Sequence, residues 1–469
     1  MCHSLIPHTF ILQFNLKLPA TFLQTLQNIK GFDEKAFVSV HNSGEQVTSI
    51  RFNPSKNSEF NIENSTLEKI PWSTYGYYLK ERPSFTLDPL FHAGKYYVQE
   101  ASSMFLEEVM KQATDLSQPM RVLDLCAAPG GKSTLLQSII CADSLLVSNE
   151  IMKTRVKILS ENIAKWGGPN VIVTNNDPKD FQRLPGYFDV IVIDAPCSGS
   201  GLFRKDPLAM NEWSLANIEI CSIRQQRIIE EIIPALKTGG TLIYSTCSYS
   251  ANENEAIADW LVENHTFTSV PIKIQREWGI IETLSGLNKA FGYRFYPDKL
   301  KGEGFFIAAF KKEEGFGNAV EKQKTKFQLI SNNEEEIINR YIKNSKALEF
   351  IKWKNEILAI PKNIIVDLIK LQSTLYLKKA GINIGTIMKE ELIPNHELAV
   401  STILATGLPG TEVNLTTALD YLRRKDINIS TNYKGWLLLK YHGIPLGWIK
   451  NISPRINNYY PKEWRIVNK

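Results

Sequence analysis

The chain has 469 residues, 43% of them hydrophobic, and a formal net charge of +5, so several folded domains are expected and extensive disorder is excluded. Its six cysteines have no regular spacing and no CxxC pair, which argues against a disulfide scaffold and a cysteine zinc site. No apolar run approaches the roughly 20 residues that span a bilayer. No Lys or Arg precedes Lys17, and a signal peptide is not expected. We therefore expect a cytoplasmic protein without membrane or metal partners.

Hydrophobic patterning divides the chain into four parts. They are an N-terminal α/β domain at 16–110, a core at 111–312, a linker with a helical segment at 313–379, and a β-rich domain at 380–469. In the first part, strand pieces broken by a turn at His41–Gly44 are predicted between Val38 and Phe52, and a loop is predicted over Trp72–Tyr78. In the third part, the linker is predicted at 311–326 from its Lys, Glu and Gly content, and helices at 327–378.

The core alternates between short apolar strands and longer amphipathic helices. Strands are predicted at 121–125, 144–149, 171–175, 188–193, 240–246 and 304–310, and helices at 131–140, 152–166, 214–236 and 252–264. Strands separated by helix-length segments indicate βαβ units and a parallel sheet. Ser250 and Glu253 have the spacing of a capping box for the last of these helices. The predicted fold class is α/β.

Two cysteines follow strands of this core. Cys197 comes after the apolar run Phe188–Ile193, in Asp194-Ala-Pro-Cys, and Cys247 comes after the run Gly240–Tyr244. Ligands of open α/β sheets bind beyond the carboxyl ends of the strands. If the two strands are neighbours, both thiols face one pocket. A thiol pair beside the acid Asp194 is suited to covalent chemistry on a planar electrophile.

A glycine-rich turn follows the first strand of the core, within Arg121–Thr134. Gly130 and Gly131 permit a tight turn, and the helix that begins near Ser133 presents free N–H groups to a ligand. A P-loop is one interpretation, but Cys126 stands where its first glycine belongs. The GxGxxG fingerprint is absent as well.

Two acids follow the second and third strands. Glu150 is placed to accept hydrogen bonds from ribose hydroxyls, and Asp177 is placed to meet a base. Solvated loop acids are the alternative for each residue alone. Together with the glycine turn, they favour a nucleoside cofactor without a phosphate chain.

The motifs resemble the signature blocks of RNA cytosine-C5 methyltransferases of the NOL1/NOP2/sun group. The blocks are Asp124–Lys132, Asp194–Gly201 and Tyr244–Ser248, with Tyr97–Ser103, Arg294–Pro297 and Gly304–Phe306 in further agreement. The resemblance covers roughly residues 16–312. The tail, with Gly435-Trp436 and Pro445–Trp448, more loosely resembles the PUA-like end of the bacterial RsmF subgroup, which modifies 16S ribosomal RNA.

This resemblance implies a Rossmann-like class I methyltransferase core and S-adenosylmethionine as cofactor. It implies that the cofactor is bound by Cys126, Ala127, Ala128, Pro129, Gly130, Gly131, Lys132, Glu150, Arg155, Asp177 and Asp194. It further implies that Cys247 is the nucleophile, that Cys197 assists product release and that Asp194 also contacts the cytosine. For Lys132, a catalytic role towards the base and a structural role at the helix start both stay open.

The C-terminal end supports an RNA partner. Tyr421–Lys469 carries ten Lys or Arg and two Asp or Glu, a net charge of +8, so the rest of the chain is slightly acidic. Its aromatic residues are expected to be core more often than stacking platforms, and they are Trp436, Tyr441, Trp448, Tyr459, Tyr460 and Trp464. Arg204 and Lys205 are either phosphate contacts or an exposed surface pair.

The function that these observations favour is methylation of ribosomal RNA through a covalent bond between Cys247 and carbon 6 of cytosine. Three alternatives stay open: transfer RNA as the substrate, a P-loop-like nucleotide-binding protein, and a non-catalytic RNA-binding factor that keeps the cofactor as a structural ligand. The two thiols argue against the last alternative.

Overall fold

The computed structural model describes residues 18–56, 67–314 and 327–467. Most of the predicted linker at 311–326 and the first two residues of the predicted N-terminal domain lie outside the described residues. No helix within the described ranges is long and apolar enough to cross a membrane.

The N-terminal part combines helices with a small antiparallel sheet. Its elements are helices α1 (Ala20–Leu26) and α2 (Glu34–Asn42), strands β1 (Thr48–Phe52), β2 (Glu68–Lys69) and β3 (Gly76–Leu79), helix α3 (Pro89–His92), strand β4 (Tyr96–Val98) and helix α4 (Leu106–Ala113). The sheet order is β2-β3-β1-β4.

Two local predictions for this part are wrong in part. Strand β1 lies within the predicted strand pieces, but residues 38–42 continue helix α2 instead of forming a strand and a turn. Asp33 caps this helix by accepting from the Ala36 N–H, and Phe37 of the helix is buried. The stretch predicted as a loop contains the start of β3, whose pairing with β1 supplies backbone hydrogen bonds that sequence alone does not reveal.

The core contains every strand and helix predicted for it. Its elements are β5 (Arg121–Asp124), α5 (Gly131–Ile139), β6 (Leu145–Asn149), α6 (Arg155–Trp166), β7 (Val171–Thr174), β8 (Phe188–Asp194), α7 (Ala209–Glu212), α8 (Leu215–Ile232), β9 (Leu236–Thr246), α9 (Glu255–Asn264), β10 (Phe267–Ser269), β11 (Ile281–Leu284), β12 (Phe291–Phe295) and β13 (Phe305–Lys312). Strands β5 to β9 are parallel, and β10 to β13 add antiparallel pairs at one side. The predicted α/β class is confirmed.

Both faces of the core sheet are covered, which explains its continuous apolar strands. Leu123 and Ile191 pack into one hydrophobic cluster, whereas Val122 and Val190 pack into another. Successive side chains of a strand point to opposite faces, so the two clusters lie on opposite sides of the sheet.

The order of the core strands defines where a ligand binds. From β6 and β7 on one side, the sheet continues through β5 to β8 and β9 on the other. The chain thus leaves β5 in one direction for β6 and returns to its other side at β8. Such a reversal opens a crevice at the carboxyl ends of the strands.

The stretch 327–400, which includes the third part and the beginning of the fourth, mixes strands and helices, and the prediction that 327–378 is helical is therefore wrong in part. Its elements are β14 (Gln328–Leu329), α10 (Asn332–Asn339), β15 (Leu348–Trp353), β16 (Glu356–Pro361), α11 (Ile365–Thr374), β17 (Leu377–Ala380), β18 (Ile382–Met388), β19 (Glu391–Pro394) and α12 (His396–Val400). The apolar run of β16 is buried in a sheet, and short apolar runs do not distinguish strand from helix.

This third part is joined closely to its neighbours. Strand β17 pairs with β7 and extends the core sheet, while β14, β15, β16, β18 and β19 form a separate sheet. That separate sheet takes strands from both sides of residue 380.

The last part is a small sheet with one helix. Its elements are β20 (Gly410–Glu412), α13 (Leu415–Leu422), β21 (Gly435–Tyr441), β22 (Ile444–Asn451) and β23 (Ile456–Asn458). Trp436, Trp448 and Tyr460 are buried, as expected for core aromatics. Tyr459 is 40% exposed.

Candidate active site

Two cysteines that lie 50 residues apart in the sequence meet in the structure. Strands β8 and β9 are parallel neighbours, with Asp194 in register with Ser245. The Sγ atoms of Cys197 and Cys247 are 3.1 Å apart, and both residues are partly buried. The expectation that neighbouring strands bring the two thiols to one pocket is confirmed.

An ion pair lies next to these thiols. The Nζ of Lys132 is 2.8 Å from a carboxylate oxygen of Asp194, and the Ser245 hydroxyl donates to the other oxygen at 2.8 Å. Burial lowers the pKa of Lys132, but the charge and hydrogen bond of Asp194 outweigh it, so the pKa is raised. Cys247 also interacts electrostatically with this ammonium group. Lys132 is thus a largely buried cation that is paired with Asp194 next to the thiols.

The glycine-rich turn packs between β5, β6 and α6. Gly130 has a φ of +115° at the start of α5, a conformation that favours glycine. Arg155 donates to the Ala128 carbonyl at 2.6 Å, and Asn162 donates to the Pro129 carbonyl at 2.8 Å. Helix α6 therefore holds the main chain of the turn in place.

Asp124 is an unusual acid at the base of this turn. It is fully buried, and Ser133 donates to one of its oxygens at 2.6 Å. Its other oxygen has no hydrogen-bond partner among the described residues. Burial raises the pKa of Asp124 to about 7. A buried polar atom of this kind needs a partner.

Glu150 and Asp177 have different surroundings. Glu150, after β6, accepts from the Met152 N–H at 2.8 Å and lies 3.4 Å from Arg155. Asp177, after β7, caps a short helical turn and accepts from the Lys179 N–H at 3.2 Å. Glu150 lines the cavity described below, whereas at the third strand Pro178 lines it instead of Asp177.

One cavity of about 1210 Å3 connects these groups. Of the residues proposed from sequence, its walls contain Cys126, Ala128, Glu150, Arg155, Asp194, Cys197 and Cys247. Ala127, Pro129, Gly130, Gly131 and Lys132 belong to the adjoining turn and helix start. A nucleoside with an amino-acid chain fits this arrangement: Glu150 suits a ribose, and Asp124, which has an unpartnered oxygen, interacts electrostatically with Glu150 and Asp194. No group of three metal-ligating side chains occurs among the described residues.

The sequence interpretation missed residues that support or line the cavity. Glu253 was expected to cap a helix, but helix α9 begins after it and Ser250 caps only a short turn at Asn252. The carboxylate of Glu253 instead accepts hydrogen bonds from Ser198 and Ser248, the residues that follow the two cysteines. Helix α8 adds Asn217, Arg224 and Arg227 to the cavity wall. The only sequence signal for Glu253 was its proximity to Cys247.

Three further cysteines and Arg204 have surroundings that differ from those of the two neighbouring thiols. Burial raises the pKa of Cys126, so this thiol stays protonated. Cys221 is buried on α8, and Cys141 contacts Ser144. Arg204 is neither an exposed surface residue nor free for phosphate, because it is 8% exposed and donates to the carbonyls of Glu45 and Gly302.

Comparison with known proteins assigns the chain to a family. The model of 16S rRNA methyltransferase RsmB/F matches residues 112–311. The N-terminal domain of 16S rRNA methyltransferase RsmF matches 18–101, and the methyltransferase RsmF PUA domain matches 410–466. These matches confirm the Rossmann-like methyltransferase core and the PUA-like domain at the C-terminal end.

Relatives match along most of the chain. Ribosomal RNA small subunit methyltransferase F of Aliivibrio fischeri is 30% identical and covers 96% of this chain and 98% of its own. The Shewanella woodyi protein of the same name is 30% identical and covers 85% of each. In fold, the chain is similar to NSun6 from Pyrococcus horikoshii, solved with the S-adenosylmethionine analogue SFG; the TM-score is 0.53 at 20% identity, over 63% of this chain and 98% of that one. The chain therefore belongs to the ribosomal RNA small subunit methyltransferase F family, and S-adenosylmethionine is its methyl donor.

Proposed function

We propose that this protein methylates carbon 5 of a cytosine in small-subunit ribosomal RNA through a covalent bond to Cys247. The observation that carries the proposal is the pair of thiols 3.1 Å apart beside the Lys132–Asp194 ion pair in one cavity. When bound, S-adenosylmethionine supplies an electrophilic methyl group. Carbon 5 of cytosine is a poor nucleophile, and thiolate addition at carbon 6 makes it a better one.

The surroundings of the two thiols support different roles. The pKa of Cys197 is raised well above its ordinary value, first by its hydrogen bond with Cys247, then by burial, and further by electrostatic interaction with Cys247 and Glu253. Cys197 is therefore a thiol in the resting enzyme. Cys247 interacts electrostatically with the Lys132 ammonium group, and it is the proposed nucleophile because a nearby cation favours the reactive thiolate form of a cysteine.

In the proposed first step, the Cys247 thiolate forms a bond to carbon 6, and electron density moves towards N3 and carbon 5. Asp194 relays a proton from the Lys132 ammonium group to N3, which neutralises the charge that develops there. Carbon 5 then takes up the methyl group, and the proton on N3 returns through Asp194 to Lys132 when Cys247 leaves.

In the proposed release step, the proton on carbon 5 leaves and the bond between Cys247 and carbon 6 breaks. The Cys247 sulfur is then bonded to carbon and no longer hydrogen-bonds with Cys197. Loss of this hydrogen bond lowers the pKa of Cys197, because the hydrogen bond is the largest cause of its raised pKa. Cys197 gives its proton to a water, and the resulting thiolate accepts the carbon-5 proton, directly or through that water, as Cys247 leaves as a thiolate.

Ribosomal RNA is the proposed substrate because the relatives are named small-subunit ribosomal RNA methyltransferases and the C-terminal end is basic. A cytosine reaches the cavity only when it is unpaired or flipped out of a helix. A ribosomal substrate would make the cytoplasm the site of action. Methylation of the assembled subunit and of free RNA are both compatible with this proposal.

The test is methyl transfer from labelled S-adenosylmethionine to purified 16S ribosomal RNA, small subunits and transfer RNA, followed by mass spectrometry of the nucleosides. We expect 5-methylcytidine in the ribosomal samples only. Methylation of another atom would overturn the proposed chemistry. Methylation of transfer RNA alone would replace the proposed substrate.

A further inference from the structure

A buried carboxylate connects the two thiol-bearing loops. Glu253 has no solvent exposure and forms no ion pair with a described residue. Its carboxylate accepts hydrogen bonds from the Ser198 N–H at 2.8 Å, the Ser198 hydroxyl at 2.5 Å and the Ser248 hydroxyl at 2.5 Å. Gln225 of α8 donates to it at 3.2 Å. These donors replace the water that an exposed carboxylate would bind.

The donors are the residues next to the two thiols. Ser198 follows Cys197 and Ser248 follows Cys247, and the two hydroxyl oxygens are 3.2 Å apart. One carboxylate thus determines the spacing of two loops from different strands. The Gly201 N–H donates to the Cys247 carbonyl at 2.7 Å, which joins the loops a second time.

Glu253 is itself firmly anchored. The Tyr244 hydroxyl donates to its carbonyl at 2.7 Å, and the neighbouring Asn254 donates to the Ser248 carbonyl at 2.7 Å. Burying a carboxylate without a cation destabilises a fold unless hydrogen bonds compensate. Apolar residues in place of the carboxylate and all of its donors would fill this space at lower cost, so the buried polar group points to a role other than stability.

We propose that Glu253 is a positioning residue that holds Cys197 and Cys247 at the separation that the two-thiol chemistry requires. The assignment of reaction steps to these thiols rests on the proposed function. The role of Glu253 in the spacing of the two thiols does not rest on the proposed function, because that spacing can be measured without RNA. The charge of Glu253 also disfavours a thiolate at Cys197, which keeps this residue distinct from Cys247.

The spacing is tested with phenylarsine oxide, which bridges two nearby thiols. Two S–As bonds form, the oxygen leaves as water with the two thiol protons, and no oxidant is needed. We expect the full-length protein to bind this reagent through Cys197 and Cys247. Glu253→Ala is expected to weaken binding at least tenfold, and Cys197→Ser serves as the single-thiol reference.

The kinetic consequence is tested with the same variants. Glu253→Ala should lower kcat for methyl transfer by about 100-fold, the usual effect of misplacing reacting groups by about 1 Å. The RNA KM and the S-adenosylmethionine Kd should change less than threefold. Glu253→Gln, which keeps part of the hydrogen bonding, should recover part of kcat. Glu263→Gln, an exposed acid on α9, is the matched control and should leave all values unchanged.

Two further variants make the test independent of folding. If Glu253→Ala does not fold, Ser198→Ala and Ser248→Ala report on the same network, and each should lower arsenical affinity and kcat together. Unchanged arsenical affinity in folded variants would overturn the positioning role. Tight arsenical binding that depends on Glu253, in an enzyme that forms no 5-methylcytidine, would preserve this inference and overturn the proposed function.

Discussion

The two ends of the cavity are built in different ways. At the thiol edge, defined by Cys197, Ser198, Cys247, Ser248 and Glu253, reactive side chains are held by other side chains. At the cofactor edge, defined by the turn 126–131 and Glu150, side chains of α6 hold main-chain carbonyls. Substitutions at the thiol edge should therefore change the rate of chemistry, whereas those at the cofactor edge should change cofactor affinity.

Cys247→Ser is expected to separate the rate of chemistry from cofactor affinity most strongly. Without the thiol, no carbon-6 bond forms, and methyl transfer should fall by at least about a thousandfold. The S-adenosylmethionine affinity, measured by calorimetry, should stay within twofold of the native value. Normal turnover would show that Cys247 is not the nucleophile.

The next effect is expected for Cys197→Ser. Addition and methyl transfer should proceed, but proton removal and release should slow by about 100-fold, the lower end of acid–base contributions. A protein–RNA adduct that survives denaturing electrophoresis should accumulate when S-adenosylmethionine is present. Adducts confined to Cys247→Ser would mean that the two roles are exchanged.

The same contrast explains what sequence reasoning found at the site. Cys197, Cys247 and Asp194 have distinctive side chains at the ends of apolar strands, so their convergence followed from strand order. Glu253 acts through three-dimensional contacts with Ser198 and Gln225, and its spacing from Ser250 suggested a cap. The role of a supporting residue depends on which loops meet, and local sequence does not contain that information.

The fold shows a similar limit. The regular strand–helix alternation of 111–312 predicted all the parallel strands and the long helices of the core, because both faces of that sheet are buried and its strands are continuously apolar. It did not predict the short helix α7 or the antiparallel strands β10, β11 and β12. Outside the core, short apolar runs did not predict the type of element. The run 357–361 looked helical but pairs with β15 and β18. Residues 38–40 looked like a strand and 41–44 like a turn, but 38–42 lie in α2. Tertiary pairing decided both cases.

At the cofactor edge, Glu150→Ala should weaken S-adenosylmethionine binding by about 1–3 kcal/mol, the effect of losing a hydrogen bond to a charged group. Asp177→Ala is the variant to compare with Glu150→Ala, because Asp177 caps a helical turn and its loss should change stability instead of cofactor affinity. If capping is its main role, the variant should lose about 0.5–2 kcal/mol of stability. Its cofactor affinity should then stay near native. Calorimetry and thermal unfolding of both variants measure these effects. If Glu150→Ala binds S-adenosylmethionine with native affinity, the ribose of the cofactor is bound elsewhere.

The smallest expected effect is on RNA binding by the basic C-terminal end. This effect should be tested by replacing charged residues and not by deleting the end of the chain. Truncation at residue 380 would divide a sheet whose strands lie on both sides of that position. It would also remove Trp436 and Trp448 from the hydrophobic cluster that they share with Phe350 and Ile357.

The suitable charges are exposed, and none forms an ion pair within the described part of the chain: Lys434, Arg455, Lys462 and Arg465. Each contact with a phosphate of single-stranded RNA contributes about −0.7 to the slope of log K against log salt. Replacing all four with Gln should therefore make the slope on 16S ribosomal RNA shallower by roughly 1–3 units, if between two and four of them reach phosphate.

The matched control replaces exposed lysines of the third part, Lys343, Lys346, Lys354 and Lys362, and should leave the slope unchanged. Cofactor affinity should be native in both variants, because neither set lines the cavity. Equal slopes for the two variants would mean that the C-terminal charges serve solubility and that RNA is held elsewhere, with Arg224 and Arg227 at the cavity wall as the next residues to test.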